Sequence, residues 1–294
     1  MNTVRSNRYE ILKTIESLDP STDFREIYRL MTTYEFPWDM NQALSFALFR
    51  TYAVPTIGSL LAHTGELLQR VQKRYDDTVI LLDALLEHGP TEKDGLDALR
   101  RMNQMHNSYD ISNDDMKYVL CTFVVTPIRW MDDYGWRPMS EGEKIAAANY
   151  YRDLGRRMGI REIPETWQEF SRFLDDYEKT NFALDPGGVA VAKSTLELFT
   201  TFPPNHLLPK SIVHKMSYAL MDEPLLTAFA FPAPNPIFKM LVRNGLRLRG
   251  KVVRLLPPRK NPMWPREMPQ VRSYPNGYRI DEIGTFPPHH PSDE

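Results

Sequence analysis

The chain has 294 residues, 42% of them hydrophobic and 25% charged, with a net charge of −2. That balance fits one large globular domain, or at most two, with enough core to enclose a ligand cavity, and it excludes the global basic field of a nucleic-acid-binding protein. The single cysteine, Cys121, sits in an apolar run, so a disulfide framework is excluded and a reducing compartment is suited.

Helical spacing dominates, no β-hairpin dipeptide separates alternating apolar runs, and most of the 24 prolines fall between periodic segments. The fold class is therefore read as all-α. In chain order, the pattern predicts helices over 6–18, 23–34 and 39–53, the last ending before Pro55. Two more follow over 56–70 and 73–88, the second stopped by His88-Gly89-Pro90. Thr91-Glu92-Lys93-Asp94 opens a helix to about Ser108, and Asn113-Asp114-Asp115 caps an apolar one to about Asp132. A capping box at Ser140 to Glu143 starts 141–158, and Pro164-Glu165-Thr166 opens 165–180. Helices over 187–201, 208–221 and 236–256 complete the domain. Residues 257–294 are proline-rich and predict an irregular tail that wraps the body and frays after about Pro287.

The N-terminal residues lack an apolar signal-peptide core, and no stretch approaches the roughly 20 apolar residues of a membrane span. The sequence reads as soluble and cytoplasmic, with peripheral membrane contact allowed. GxGxxG, Walker A, GxSxG, HExxH, paired ExxH and CxxCH motifs are all absent. None of the seven histidines forms a chelating helical pair, and His289 and His290 fall in the tail.

Four features remain. Arg74, Asp77 and Thr78 share one helix face with Leu81, Leu82 and Leu85. They read either as an ion pair at the rim of the core or as a polar cluster over a ligand. His106 follows Leu96, Leu99 and Met102 on a core-facing stripe. It reads either as a packed, hydrogen-bonded histidine or as a single iron ligand in an apolar pocket. Tyr118, Thr122 and Thr126 recur every four residues on an apolar helix. They line a substrate channel, or the threonines bond their own backbone. From Pro224 to Arg266 there are nine basic and no acidic residues, and the 238–256 helix alternates apolar and basic positions. This suits an anionic membrane surface or an ordinary solvated face.

Three stretches carry a family resemblance: LFRTYAVPTIGSLLAHTGELLQRVQKRYDDTVILLDALLEHG at 48–89, the block from 98 to 170 that contains RRMNQMHNSYD, and LRLRGKVVRLLPPRK with SYPNGYRIDEIG further on. Together they resemble the MpaB-type oxygenase family, which also holds the latex-clearing rubber oxygenases. The resemblance implies an all-α fold around non-covalent haem b, and cleavage of a carbon–carbon double bond in an isoprenoid or prenylated substrate with O2. It implies His106 as the iron ligand. The RxxKT signature of the rubber enzymes corresponds to Arg74-Tyr75-Asp76-Asp77-Thr78, where Arg74 and Thr78 match and Asp77 replaces the lysine. That replacement argues against direct polyisoprene cleavage. Arg74, Asp77 and Thr78 are thus candidate catalytic residues, and Arg74 and Arg50 candidate haem contacts. No residue corresponds to the rubber enzymes' distal carboxylate. A haem-binding protein without oxygenase activity and a haem-free lipid-binding protein are the rival readings.

Overall fold

Among residues 8–285, the span described by the computed structural model, there are fourteen α-helices and no strand. They are α1 (Glu10–Glu16), α2 (Phe24–Leu30), α3 (Pro37–Thr51), α4 (Pro55–Thr64), α5 (Glu66–Gln69), α6 (Val71–His88) and α7 (Lys93–Asn107). Then come α8 (Asn113–Tyr134), α9 (Glu141–Arg157), α10 (Trp167–Asn181), α11 (Pro186–Phe199), α12 (Lys210–Leu220), α13 (Glu223–Ala228) and α14 (Pro236–Leu255). The all-α reading holds.

Local chemistry sets the boundaries. Full capping boxes start α9 (Ser140 with Glu143) and α10 (Thr166 with Glu169), and proline opens α3, α4, α11, α13 and α14. The helix predicted over 56–70 is broken at Gly65, whose φ of +72° a side-chain-bearing residue rarely adopts. The helix predicted over 23–34 gives way at Met31–Glu35 to a π turn. The start of α7 makes no side-chain cap, and Ser112, not Asn113, caps α8 by accepting from the Asp115 N–H. Helix α13 was not legible, because six residues are too short for a periodic signal.

Helix α8 is the spine, with α3, α9, α10 and α14 packed along it, while α6 lies on α7 and α4 on α11. The α4–α11 crossing needs glycine on both sides. A Cβ on Gly58 would stand 2.5 Å from the Tyr52 carbonyl and 2.7 Å from the Gly188 Cα. Cys121 is fully buried in α8, and burial pushes its thiol pKa up.

Past α14 the chain straps across α6. Asp83 Oδ2 accepts from the Arg266 N–H at 3.2 Å, and Asp76 Oδ2 accepts from Arg272 N–H and Ser273 N–H at 3.1 and 2.8 Å. Arg101 of α7 donates to the Ile283 carbonyl at 2.7 Å. The predicted fraying beyond Pro287, with His289 and His290, falls outside the described residues. No single described helix is long and apolar enough to cross a membrane; α3 and α4 together have the length but meet at 98°.

Candidate active site

Helices α3, α4, α6, α7 and α8 surround an apolar cavity with an empty volume of about 1260 Å³, its open side included. Leu48, Ile57, Leu61, Leu81, Met102, Val119 and Phe123 form much of its wall. Two side chambers, each of about 660 Å³ by the same measure, share lining residues with it.

His106 projects into this space from the last turn of α7, one turn beyond Met102. Its Nδ1 lies 2.8 Å from the Met102 carbonyl oxygen. A carbonyl can only accept, so Nδ1 carries the proton and Nε2 holds the lone pair. Nε2 makes no hydrogen bond among the described residues and is free to ligate. Burial lowers the His106 pKa, with the Arg74 charge lowering it further against the Met102 carbonyl. The imidazole is therefore kept neutral, the form that binds a metal.

Arg74 and Thr78 come from the facing turn of α6 and line the same cavity. The Arg74 guanidinium donates to the Thr78 hydroxyl, which donates in turn to the Arg74 carbonyl at 3.1 Å. No carboxylate lies within ion-pair distance of Arg74 among the described residues. Half-buried cations usually find one.

The remaining sequence candidates are placed elsewhere. Asp77 is 1% exposed and turned towards the strap, where the Tyr274 hydroxyl and Lys73 Nζ (2.8 Å) bond its two oxygens. Arg50 is closed off by Glu178, at 2.8 Å from Nε, and by Asp222, at 2.6 Å from Nη1. Tyr118 is fully buried, stacks on Tyr177 and donates to Glu178 at 3.0 Å. Thr122 is buried and donates to the Val119 carbonyl at 2.7 Å, the backbone-bonding alternative. Thr126 borders a separate depression beside Arg50. These residues face α10 and α3 rather than the cavity; the cavity side of α8 is Asp115, Met116, Val119 and Phe123. Asp115 went unnoticed because its position suggested only a cap. Its step of four to Val119 and of eight to Phe123 was the available signal. It accepts from the Tyr177 hydroxyl at 2.7 Å and Thr56 at 3.0 Å. Thr285, on the strap, also lines the cavity, and nothing local in sequence announces it.

Residues 38–255 match the family described as ER-bound oxygenase mpaB/B′/rubber oxygenase, catalytic domain. The chain belongs to this family. It is similar to the ER-bound oxygenase mpaB′ of Penicillium brevicompactum, at 30% identity over 83% of this chain and 62% of that protein. It is also similar to ER-bound oxygenases mpaB of Penicillium roqueforti, at 33% over 54% of this chain and 58% of the relative, and of P. brevicompactum, at 34% over 59% and 49%. The chain thus spans about half to six-tenths of the length of these relatives. The family match contains His106, Arg74 and Thr78; Thr285 lies beyond it.

Proposed function

We propose that this member of the mpaB/rubber oxygenase family is a haem-b-dependent oxygenase. It acts with O2 on a hydrophobic, isoprenoid or prenylated substrate and cleaves a carbon–carbon double bond. The observation that carries the reading is the lone pair of His106 Nε2 facing an apolar cavity lined by the cation Arg74, which has no carboxylate partner among the described residues. The residues fit haem b. A single imidazole suits an iron whose in-plane ligands come from a macrocycle, and an unpaired guanidinium suits a propionate. His106 would hold the iron and Arg74 a propionate.

Bound haem would supply the oxygen chemistry, with the two atoms of O2 ending in the two carbonyl groups that replace the double bond. The chain's own contribution is threefold. The Met102 carbonyl fixes the His106 tautomer and ring orientation, as a carbonyl or carboxylate accepting from the far ring nitrogen does for metal-bound imidazoles. Thr78 holds the Arg74 fork in one orientation. Val119, Phe123 and Leu81 exclude water and give an alkene chain an apolar surface. Asp77, bonded through one oxygen to Tyr274 of the strap and through the other to Lys73 of its own helix, takes no part.

The same proposal puts α14 against an anionic membrane surface. Ile237, Leu241, Leu248, Val252 and Leu255 form one stripe on it, each more than half exposed, and Arg247, Lys251 and Arg254 flank the stripe. Apolar side chains beside cations with no acid nearby are the composition of an interfacial helix. Leu241→Ser with Leu248→Ser is expected to abolish sedimentation with phosphatidylserine vesicles; unchanged sedimentation would refute this contact.

The deciding experiment is expression with haem supplied, comparing the absorption spectra of the parent and His106→Ala. The parent is expected to show an intense Soret band that the variant loses or shifts. Prenylated substrates under isotopically labelled O2 should then yield labelled carbonyl products. A parent that stays colourless with added haemin supports a lipid-binding protein, and a haem-loaded parent without products supports a carrier.

A further inference from the structure

The inner side chamber reaches between α2, α6 and α9, and Leu48, Thr78, Leu82 and Phe123 line both it and the His106 cavity. An alkyl chain lying past Thr78 can therefore reach this chamber. Its far wall is polar, and the polarity is unspent. Asp83 is 1% exposed; its Oδ2 is held by Arg266 at 2.9 Å, but its Oδ1 has no hydrogen-bond partner. Tyr150, 9% exposed and stacked on Tyr28 at 4.3 Å, makes no hydrogen bond through its hydroxyl among the described residues. By contrast, the neighbouring Tyr28 and Tyr151 hydroxyls bond each other at 2.9 Å. The Asp83 charge is close enough to Tyr150 to add to the rise in its pKa that burial causes. Leaving a buried acceptor unmade costs stability, and such groups are rare unless they serve something, while the Tyr150 hydroxyl borders the open space of the chamber.

We infer that this chamber is the terminal subsite for a substrate that carries a hydroxyl at the end of its apolar chain. The hydroxyl would donate to Asp83 Oδ1 and accept from the Tyr150 phenol. An ether satisfies only the second group. A carboxylate meets the Asp83 charge and is rejected, so the site selects alcohols over acids. The chamber's relevance to catalysis rests on the oxygenase reading; the chamber itself, with Asp83 Oδ1 and the Tyr150 hydroxyl, does not.

The test is calorimetric binding of farnesol, farnesyl methyl ether and farnesoate at neutral pH to the protein as purified, with its haem content read on the same sample. Farnesol is expected to bind about ten-fold or more tightly than either other probe, the penalty for leaving a recognition group unpaired. Tyr150→Phe should weaken farnesol and the ether alike, leaving the preference between them, without lowering the melting temperature, because the lost hydroxyl has no protein partner. Asp83→Asn should tighten farnesoate binding relative to the parent, a gain that mere structural damage does not produce. Equal affinity for the three probes in the parent, or farnesoate binding unimproved in Asp83→Asn, overturns the inference. A preference for farnesol in protein that takes up no haem leaves the subsite standing and sinks the oxygenase reading alone. Haem-loaded protein with no preference does the reverse.

Discussion

Two arginines show how this molecule separates scaffold from site. Arg137 is 9% exposed and saturated: Glu35 Oε2 lies 2.6 Å from Nη2, Glu143 Oε2 lies 2.6 Å from Nη1, and the Phe36 ring sits 4.7 Å below. Arg74 has one hydroxyl and a cavity. Both are cations withdrawn from bulk water. The first spends its charge within the fold, while the second keeps it for something that enters. Asp83 stands between them, with one oxygen spent and one kept.

Arg137→Met is the most damaging substitution. Two buried carboxylates would be left facing each other, and denaturant unfolding is expected to show a loss on the order of 3–5 kcal/mol. A loss under 1 kcal/mol would mean that the cluster is not the closed unit described.

Asp83 comes next. Burial raises its pKa from 3.8 to about 6, partly opposed by Arg266. The folded state then binds this proton more tightly than the unfolded chain, so the parent loses stability as pH climbs from about 4 to about 6 and is level above. The loss is on the order of 3 kcal/mol. Melting curves across that window should slope for the parent and flatten for Asp83→Asn; parallel curves would contradict the assignment.

Arg74→Met tests the open side. Without a carboxylate to orphan, its global stability should stay within about 0.5 kcal/mol of the parent, while haem affinity falls about 10- to 100-fold, the worth of one charged hydrogen-bonded pair. Haemin titration reads the second effect and calorimetry the first. The smallest change is Thr122→Val, where the hydroxyl bonds only its own helix; turnover and haem binding are expected to be unaltered.

What could be read from the sequence follows the same division. His106 was legible because Leu99 and Met102 precede it on one stripe, and helical spacing alone points all three inward. The all-α class followed from the caps and the prolines. Within Arg74, Asp77 and Thr78, spacing could not say which member faces the cavity. Asp77 is claimed by Tyr274, nearly two hundred positions later. Arg50 was misplaced for the same reason, since its partners Glu178 and Asp222 come from distant helices. On α8 two faces are apolar, one against α10 and one on the cavity. The threonine line marked the wrong one.

The strap has a consequence for the order of assembly. Arg101 donates to the Thr285 carbonyl as well as to Ile283, and Thr285 closes part of the His106 wall. Helix α7, which carries His106, is therefore made long before the residues that finish its pocket. During synthesis, α6 and α7 leave the ribosome with Asp76, Asp77 and Asp83 still lacking their strap partners. The pocket becomes whole only when the chain has been made to residue 285, so closure of the cavity falls at the end of folding rather than at its nucleus.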